Sequence, residues 1–189
     1  MDKLMFYEVS QQYINYLKLF EPKIPNIDYN THNKFVCGVI FSIDGFNYFA
    51  PISSFKEQQK TNIIINNSNG EAVSSIRFSF MFPIPEAEIK IKDFSKEEYK
   101  YRRLLLEEFK YCNIIRDKII SKAKYTYKRY NSGYDKMLMK NCCNFRLLEE
   151  KCLEYQVYLD TAREVAAVRE ENMDIEKKIK DEDNYEMER

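Results

Sequence analysis

The chain has 189 residues, and its 30 basic and 30 acidic side chains give a formal net charge of zero. With only four Gly and five Pro, it is neither a fibrous repeat nor a Pro/Gly-rich disordered chain. Its 15 Tyr and 13 Phe supply ample apolar surface for one core, at roughly 150 residues per domain. The composition therefore predicts one folded, compact domain.

At least six strands are predicted in the first half of the chain by short apolar or alternating runs bounded by turn residues. Asp44-Gly45 is a hairpin turn signal between two of them. Ser10 is placed as the N-cap of a helix that reaches Phe20. The strands are expected over residues 5–9, 34–43, 46–52, 63–66, 72–81 and 88–94. Short turns between successive strands favour an antiparallel sheet over a parallel dinucleotide-binding one.

The pattern changes to helical spacing at Ser95, where Ser95 and Glu98 have the spacing of a capping box. One long helix is predicted from there to about Arg129, and a final packed helix over residues 145–159. We expect a domain over residues 1–160, followed by an acidic C-terminal extension, 161–189, that is helical or partly disordered. The predicted fold class is α+β, with a strongly bent antiparallel sheet or small barrel and flanking helices.

The five cysteines and the amino-terminal residues bear on the cellular compartment. The cysteine count is odd, and residues 1–5 lack the apolar run of a secretory signal, so a reducing cytosol fits best. No apolar stretch approaches the roughly 18 residues that span a bilayer, so no membrane association is expected. The cysteines also lack the spacing of a zinc site, and we predict no metal; they are interpreted as small buried hydrophobes.

The zero net charge conceals a basic middle segment. Residues 1–95 carry a net charge of −1, residues 96–150 carry +6 and residues 151–189 carry −5. Within residues 116–140, eight basic side chains face two acidic ones and are interleaved with tyrosines, a combination that binds single-stranded nucleic acid. The alternative is a solvated helix face whose tyrosines pack on the sheet. The candidate RNA-binding residues are Arg116, Lys118, Lys122, Lys124, Tyr125, Lys128, Arg129, Lys136 and Lys140.

A second candidate site lies at the end of the returning hairpin strand. Ser53 and Ser54 supply two hydroxyls there, and Lys56 supplies an ammonium group. Hydroxyls can donate to phosphate oxygens or relay a proton, and a lysine can neutralise the charge that builds during phosphoryl transfer. An ordinary polar loop has the same pattern. Lys34, which opens the preceding strand, joins this cluster only if its loop folds over the same sheet edge.

Five stretches, taken in order, resemble the ToxN/AbiQ family, the endoribonuclease toxins of bacterial type III toxin–antitoxin systems. The stretches are Phe6 to Leu17, Lys23 to Asn26, Ile43 to Lys56, Met81 to Glu88 and Cys142 to Cys152. The family's active-site motif, commonly Leu-Thr-Ser-x-Lys, reads here as Ile52-Ser53-Ser54-Phe55-Lys56. Serine in place of threonine keeps the hydroxyl.

The resemblance implies a bent sheet like that of the MazF and CcdB toxins. It also implies cleavage without a metal or other cofactor, by attack of the ribose 2′-hydroxyl on the adjacent phosphate to leave a 2′,3′-cyclic phosphate. Ser53 and Ser54 would then hold the scissile phosphate and help move the proton, and Lys56 would stabilise the phosphorane or the leaving oxygen. The resemblance does not assign the general acid and the general base among these groups. Lys34 matches a further family lysine, and Tyr29 matches the family's upstream tyrosine when one residue of gap is allowed.

The partners that the resemblance implies are RNA molecules in a bacterial cytoplasm. The antitoxin would be a repeat-derived RNA that the toxin cuts from a precursor and that folds as a pseudoknot, in a closed, triangular toxin–RNA assembly. Cellular or phage RNA would be the substrate, with growth arrest or abortive infection as the outcome. Two alternatives from other classes are an RNA-binding module without catalysis and a protein-targeting toxin on the same fold.

Overall fold

Seven strands and five helices make up the part of the chain that the structure describes. The computed structural model describes residues 3–25 and 37–187, with the side chains of residues 174–187 excepted. The strands are β1 (Phe6–Val9), β2 (Cys37–Ile43), β3 (Phe46–Ser53), β4 (Asn62–Asn66), β5 (Ala72–Arg77), β6 (Phe82–Pro83) and β7 (Ile89–Ile91). The helices are α1 (Gln11–Lys18), α2 (Tyr99–Ile114), α3 (Arg116–Asn131), α4 (Lys136–Asn141) and α5 (Phe145–Met187).

The chain forms two compact units, residues 1–152 and residues 153–189. The first unit contains all of the described strands, helices α1 to α4 and the start of α5. The second unit consists, in its described part, of the remainder of α5. No helix in the described ranges is both long and apolar enough to cross a membrane.

The strands form one antiparallel sheet in the order β4-β5-β3-β2-β1-β7, and β6 pairs with β3. With the helices that follow, this confirms the α+β class. The sheet is open, because the outer strands β4 and β7 do not pair with each other among the described strands. A closed barrel, one of the two predicted forms, is therefore not what these strands build.

Strand β3 is the centre of this sheet. Its first six residues pair with β2, from Phe46 opposite Ile43 to Pro51 opposite Gly38. Along its other edge β3 pairs first with β6 and then, at Ile52 and Ser53, with β5. The last residue of β3 is thereby hydrogen-bonded into the sheet, which fixes the backbone from which the following turn starts.

The predicted hairpin of β2 and β3 is confirmed, and its turn has the expected backbone. Asp44 and Gly45 both have positive φ, at 48° and 86°. This is the type I′ pattern that matches the twist of two antiparallel strands, and it favours Asx-Gly at these positions. At its other end β3 reaches Ser53 rather than the predicted Ile52, because Ser53 still pairs with Ser75 of β5.

The predicted strand over residues 72–81 is wrong in its second half, because a 3-10 turn over Phe78–Phe80 separates β5 from β6. Phe78 is fully buried at this turn. The carbonyl of Ser79 accepts a hydrogen bond from the Cys143 amide at 2.8 Å instead of from a neighbouring strand. Packing of a distant segment thus replaces strand pairing there.

The single long helix predicted from Ser95 is wrong at its start and in its middle. Asp93, not Ser95, caps a 3-10 turn over Phe94–Lys96, and α2 begins only at Tyr99. At Ile115 the backbone leaves the helical region, with φ −103° and ψ 18°, so that α2 and α3 are separate helices. The break allows each helix to bury its own apolar face.

Helix α5 begins at the predicted residue but runs to Met187, well beyond the predicted end at 159. Its start is anchored by Glu21, whose carboxylate accepts the Asn144 amide at 2.8 Å. A carboxylate at a helix N-terminus satisfies a free N–H group and favours the helix dipole. The helical alternative for the acidic extension therefore applies through residue 187.

Candidate functional site: the serine turn and the basic helix

Residues 53–56 form a turn, here called the serine turn, whose backbone is held from two sides. The Ser53 hydroxyl oxygen accepts the Phe55 amide at 3.1 Å, and the Ser53 residue is only 3% exposed. The Phe55 carbonyl accepts the hydroxyl of Ser75, on β5, at 2.6 Å. Ser54 and Lys56 are exposed. The two exposed groups of the sequence motif thus project from a fixed backbone.

A small polar chamber of about 20 Å³ lies behind the serine turn and has room for one water molecule. Ser74 and Glu108, each 3% exposed, line it together with Ser53, Ser54 and Tyr101. The Ser74 hydroxyl is buried and has no hydrogen-bond partner among the described residues. Burial, with the charge of Cys37 as a second cause, raises the pKa of Tyr101 above its usual range. The turn is therefore backed by polar groups.

A larger groove of about 620 Å³, here called the Arg77 groove, runs beside the serine turn. One wall is the segment that follows Lys56, and the opposite wall is α4 with Asp135. The lining residues are Gln58, Gln59, Lys60, Thr61, Arg77, Ser79, Phe80, Asp135, Met137, Leu138 and Asn141. The groove thus lies between the segment that follows the serine turn and α4, the helix that carries Lys136 and Lys140.

Helix α3 exposes most of the predicted basic residues and buries its opposite face. Lys118, Lys124, Lys128 and Arg129 are exposed, and Arg116 and Lys122 are half-buried. Of the four interleaved tyrosines, two are exposed, as stacking on nucleic acid requires, and two are buried, as the alternative of a packed helix face predicts. Tyr125 and Tyr134 are 58% and 90% exposed, whereas Tyr127 and Tyr130 are each 8% exposed and pack against the ring of Phe145.

The two acidic residues within this basic stretch are paired with neighbours. Asp117 pairs with Arg116 at 3.0 Å, and Asp135 pairs with Arg129 at 3.5 Å. The hydrogen bond from the Leu138 amide and the charge of Arg129 lower the pKa of Asp135. Over the described ranges, the lysines of α3 and α4 form no ion pair. Their charge is therefore available to an external polyanion.

The predicted basic set is not one patch at the serine turn. Lys124 and Lys128 line a second groove of about 620 Å³, here called the hairpin groove, which also includes Asp44. Asp44 lies in the turn before β3, and Ser53 is the last residue of that strand, which is about 23 Å long at roughly 3.3 Å per residue. Only Arg129, through its ion pair with Asp135, and helix α4 approach the Arg77 groove.

Two predicted site residues, Tyr29 and Lys34, lie outside the described residues. Sequence reasoning missed Arg77 and Lys60, because neither is part of a recognisable motif. The register of β5 on β3, which places Ser75 opposite Ser53, would have been the signal for Arg77. In the ranges that the structure covers, no three His, Cys, Asp or Glu side chains are grouped so as to hold a metal ion.

Comparisons with known proteins point to one family. A family model described as "Toxin ToxN, type III toxin-antitoxin system" matches residues 5–153. The endoribonuclease ToxN of Pectobacterium atrosepticum is 31% identical over 164 residues, which cover 80% of this chain and 94% of that protein. The endoribonuclease AbiQ of Lactococcus lactis subsp. lactis is 27% identical over 166 residues, covering 80% and 89% respectively.

A solved structure supports the same relationship at the level of the fold. It is described as showing selective toxin inhibition by a non-coding RNA pseudoknot in bacterial type III toxin–antitoxin systems. The two chains superpose with a TM-score of 0.75 at 26% identity, over 82% of this chain and 99% of the other. This chain therefore belongs to the ToxN/AbiQ family of type III toxin–antitoxin endoribonucleases.

Proposed function

We propose that this endoribonuclease cleaves RNA without a metal ion, by attack of a ribose 2′-hydroxyl on the adjacent phosphate. The bond between the 2′ oxygen and phosphorus forms, and the bond to the 5′ oxygen breaks. The 2′-hydroxyl loses its proton and the departing 5′ oxygen gains one, so the products are a 2′,3′-cyclic phosphate and a 5′-hydroxyl. The supporting observation is the exposure of Ser54 and Lys56 on one fixed turn.

In this proposal Ser54 and Lys56 contact the scissile phosphate. The Ser54 hydroxyl donates to a phosphate oxygen, and the Lys56 ammonium stabilises the negative charge of the pentavalent phosphorane. The resemblance implies that Ser53 also holds the phosphate; in this proposal its buried hydroxyl, which accepts the Phe55 amide, instead fixes the turn that carries Ser54 and Lys56. Tyr29 and Lys34 complete the site as the family resemblance implies. A rigid backbone favours this chemistry, since preorganised donors need no rearrangement during the reaction.

Alanine substitutions in the serine turn test the catalytic proposal. Ser54→Ala and Lys56→Ala should each lower the cleavage rate of purified protein on RNA in excess chelator by about 100-fold or more, the usual cost of one transition-state donor. Ser68→Ala and Lys90→Ala are matched controls, because both residues are exposed and lie away from the serine turn, Ser68 between β4 and β5 and Lys90 on β7. Both controls should cleave at the rate of the unmodified protein.

The chemistry of the new ends tests the proposed reaction. The upstream product should end in a cyclic phosphate, and the downstream product should accept a labelled phosphate directly on its 5′-hydroxyl. Full cleavage by both serine-turn variants would overturn the residue assignment. Products with 5′-phosphates, or cleavage that chelator abolishes, would overturn the metal-independent reaction.

We further propose that the inhibiting partner is a pseudoknot RNA, cut by the toxin from a repeat-containing precursor and bound through the predicted basic residues. The description of the similar structure supports the RNA class. The charge of +6 over residues 96–150 and the exposed lysines of α3 support the surface. Charge reversal at Lys118, Lys122 and Lys124 should weaken binding and flatten its dependence on salt. Unchanged binding would place the RNA elsewhere.

The remaining parts of the proposal concern setting and assembly. Cellular or phage RNA is the substrate in a bacterial cytoplasm, and its cleavage arrests growth or aborts phage infection. Toxin and RNA close into a triangular assembly, and residues 1–160 form a nuclease domain with a bent sheet like that of MazF and CcdB. Short tandem repeats followed by a terminator just upstream of the gene would support this setting. Scattering from the purified complex would measure the stoichiometry.

A further inference from the structure

We propose that Arg77 binds a phosphate of the RNA substrate adjacent to the scissile one, with the intervening nucleotide in the Arg77 groove. This inference rests on the proposed function of the serine turn. Arg77 is the last residue of β5, two residues beyond Ser75, which pairs with Ser53. The guanidinium is therefore carried by the strand that borders the serine turn.

Two aromatic rings hold the Arg77 side chain in place. Its Cζ atom lies over the Phe55 ring, 4.3 Å from the centroid, and over the Phe80 ring at 4.8 Å. Phe55 is itself part of the serine turn, and its backbone is hydrogen-bonded on both sides. Arginine stacks on aromatic faces while its N–H donors remain in the guanidinium plane. Arg77 is thus positioned relative to Ser54 and Lys56 before any ligand binds.

The charge of Arg77 has no carboxylate partner among the described residues. Within the described part of the chain, its guanidinium makes one long hydrogen bond, 3.4 Å from Nη2 to the side-chain oxygen of Gln59. Its Nε is buried and makes no hydrogen bond in the described structure. Burial lowers the pKa of Arg77, which reflects the cost of holding a cation in this position. A partly buried guanidinium is usually stabilised by a bidentate oxyanion, and since no described carboxylate does so here, we assign that role to a phosphate of the ligand.

The groove beside Arg77 has the size and charge that a nucleotide requires. Its volume of about 620 Å³ lies within the range of roughly 300–1,000 Å³ that is typical of small-ligand sites. Its one carboxylate, Asp135, is paired with Arg129 at 3.5 Å. Lys60 and Arg77 therefore leave the groove positive. Because this positive groove lies beside the serine turn, the anionic ligand that fits it is the continuing RNA strand.

Binding measurements on full-length protein test the proposal without requiring cleavage. The probe is a single-stranded oligonucleotide of the cleaved sequence with 2′-deoxyribose at the scissile position, and anisotropy gives the affinity at several salt concentrations. Arg77→Gln should weaken binding about tenfold and reduce the log–log salt slope by about 0.7, the value for one phosphate contact on a single strand. Arg77→Lys should keep the slope but bind less tightly than the unmodified protein.

Arg102→Gln is the matched control. Arg102 also lies over an aromatic ring, at 5.9 Å from the Tyr99 centroid, but it does not line the Arg77 groove. It should leave the salt slope unchanged. In cleavage assays Arg77→Gln should raise KM about tenfold and change kcat by less than about threefold, since uniform binding is lost rather than transition-state stabilisation.

Several outcomes would overturn the inference. An unchanged slope in folded Arg77→Gln protein, with or without a lower melting temperature, would leave Arg77 a purely structural role. A relaxed base preference at constant slope would show that Arg77 reads a base. Failure of the proposed function is distinguishable, because Ser54→Ala and Lys56→Ala would then still cleave while Arg77→Gln lost its salt-dependent binding.

Discussion

The carboxylate of Glu149 connects β3, the strand that leads into the serine turn, to helix α3. Its removal should lower the free energy of unfolding. Its Oε1 accepts the Tyr48 hydroxyl of β3 at 2.6 Å and the Tyr127 hydroxyl of α3 at 2.7 Å. Tyr48 is fully buried and Tyr127 is 8% exposed. Hydrogen bonds to a charged group contribute about 1.5–3 kcal/mol each, so Glu149→Ala should cost about 3–5 kcal/mol. Glu149→Gln keeps an acceptor oxygen and should cost less.

Urea unfolding followed by circular dichroism measures this cost. The adjacent Glu150→Ala is the matched control, because Glu150 is exposed and its one ion pair with a described residue is to Lys151, at 3.9 Å. That variant should stay within about 0.5 kcal/mol of the unmodified protein. A loss below about 1 kcal/mol for Glu149→Ala would refute the argument that two buried hydroxyls depend on this carboxylate.

The hydrogen bond between Tyr127 and Glu149 also predicts that the free energy of unfolding depends on pH in the alkaline range. Burial, followed by the hydrogen bond to Glu149, raises the pKa of Tyr127 to about 12. The folded protein then retains a proton that the unfolded chain, at a phenol pKa of about 10, has lost. This contribution to stability is complete below about pH 10 and is lost as the pH rises toward 12. Tyr127→Phe should show a shallower decline of unfolding free energy over that window.

Three further predictions concern packing, reactivity and the extension. Gly38→Ala should cost about 1–3 kcal/mol in urea unfolding, because a Cβ there would meet the Ala50 carbonyl at 2.4 Å; Gly70→Ala, in open space at positive φ, should cost less. The five cysteines are free and buried, so a thiol reagent should label all five in urea and none within minutes in native protein; rapid native labelling would contradict their burial. Deletion of residues 161–189 should leave cleavage intact, since the family match ends at residue 153. It should also raise the affinity for non-specific RNA, because it removes acidic residues. Lost cleavage would contradict the proposed domain limit.

Local residue types were sufficient to predict the hairpin but not the breaks in the long elements. Asp44 and Gly45 specify their turn because few other pairs adopt positive φ at both positions. The break at Ile115 has no such signal, since apolar residues continue at helical spacing from Cys112 to Ile119. It is a result of tertiary packing, in which two short helices bury faces that one straight helix could not.

The serine turn could be predicted because its residues are adjacent in the chain, whereas the groups that complete it are not. Ser75 and Arg77 reach the turn only through the pairing of β5 with β3, some 20 residues further along. The burial of Tyr127 and Tyr130 could have been predicted. Tyr127 is four residues beyond Ala123 and Tyr130 is three beyond Tyr127, so both lie on the buried face of α3. Tyr125 is two residues beyond Ala123 and lies off that face.

The positions of the two grooves lead to a last prediction, which separates antitoxin binding from substrate cleavage. The two grooves are lined by different residues, the hairpin groove by the turn between β2 and β3 and by α3, and the Arg77 groove by the segment after the serine turn and by α4. A folded RNA can occupy both grooves at once, and simultaneous contacts multiply in their effect on affinity. A short single strand cut at the serine turn needs only the first groove. Lys124→Glu with Lys128→Glu should therefore weaken antitoxin binding by more than tenfold while changing cleavage of a short oligonucleotide less than threefold. Equal losses in both assays would show that substrate and antitoxin use the hairpin groove alike.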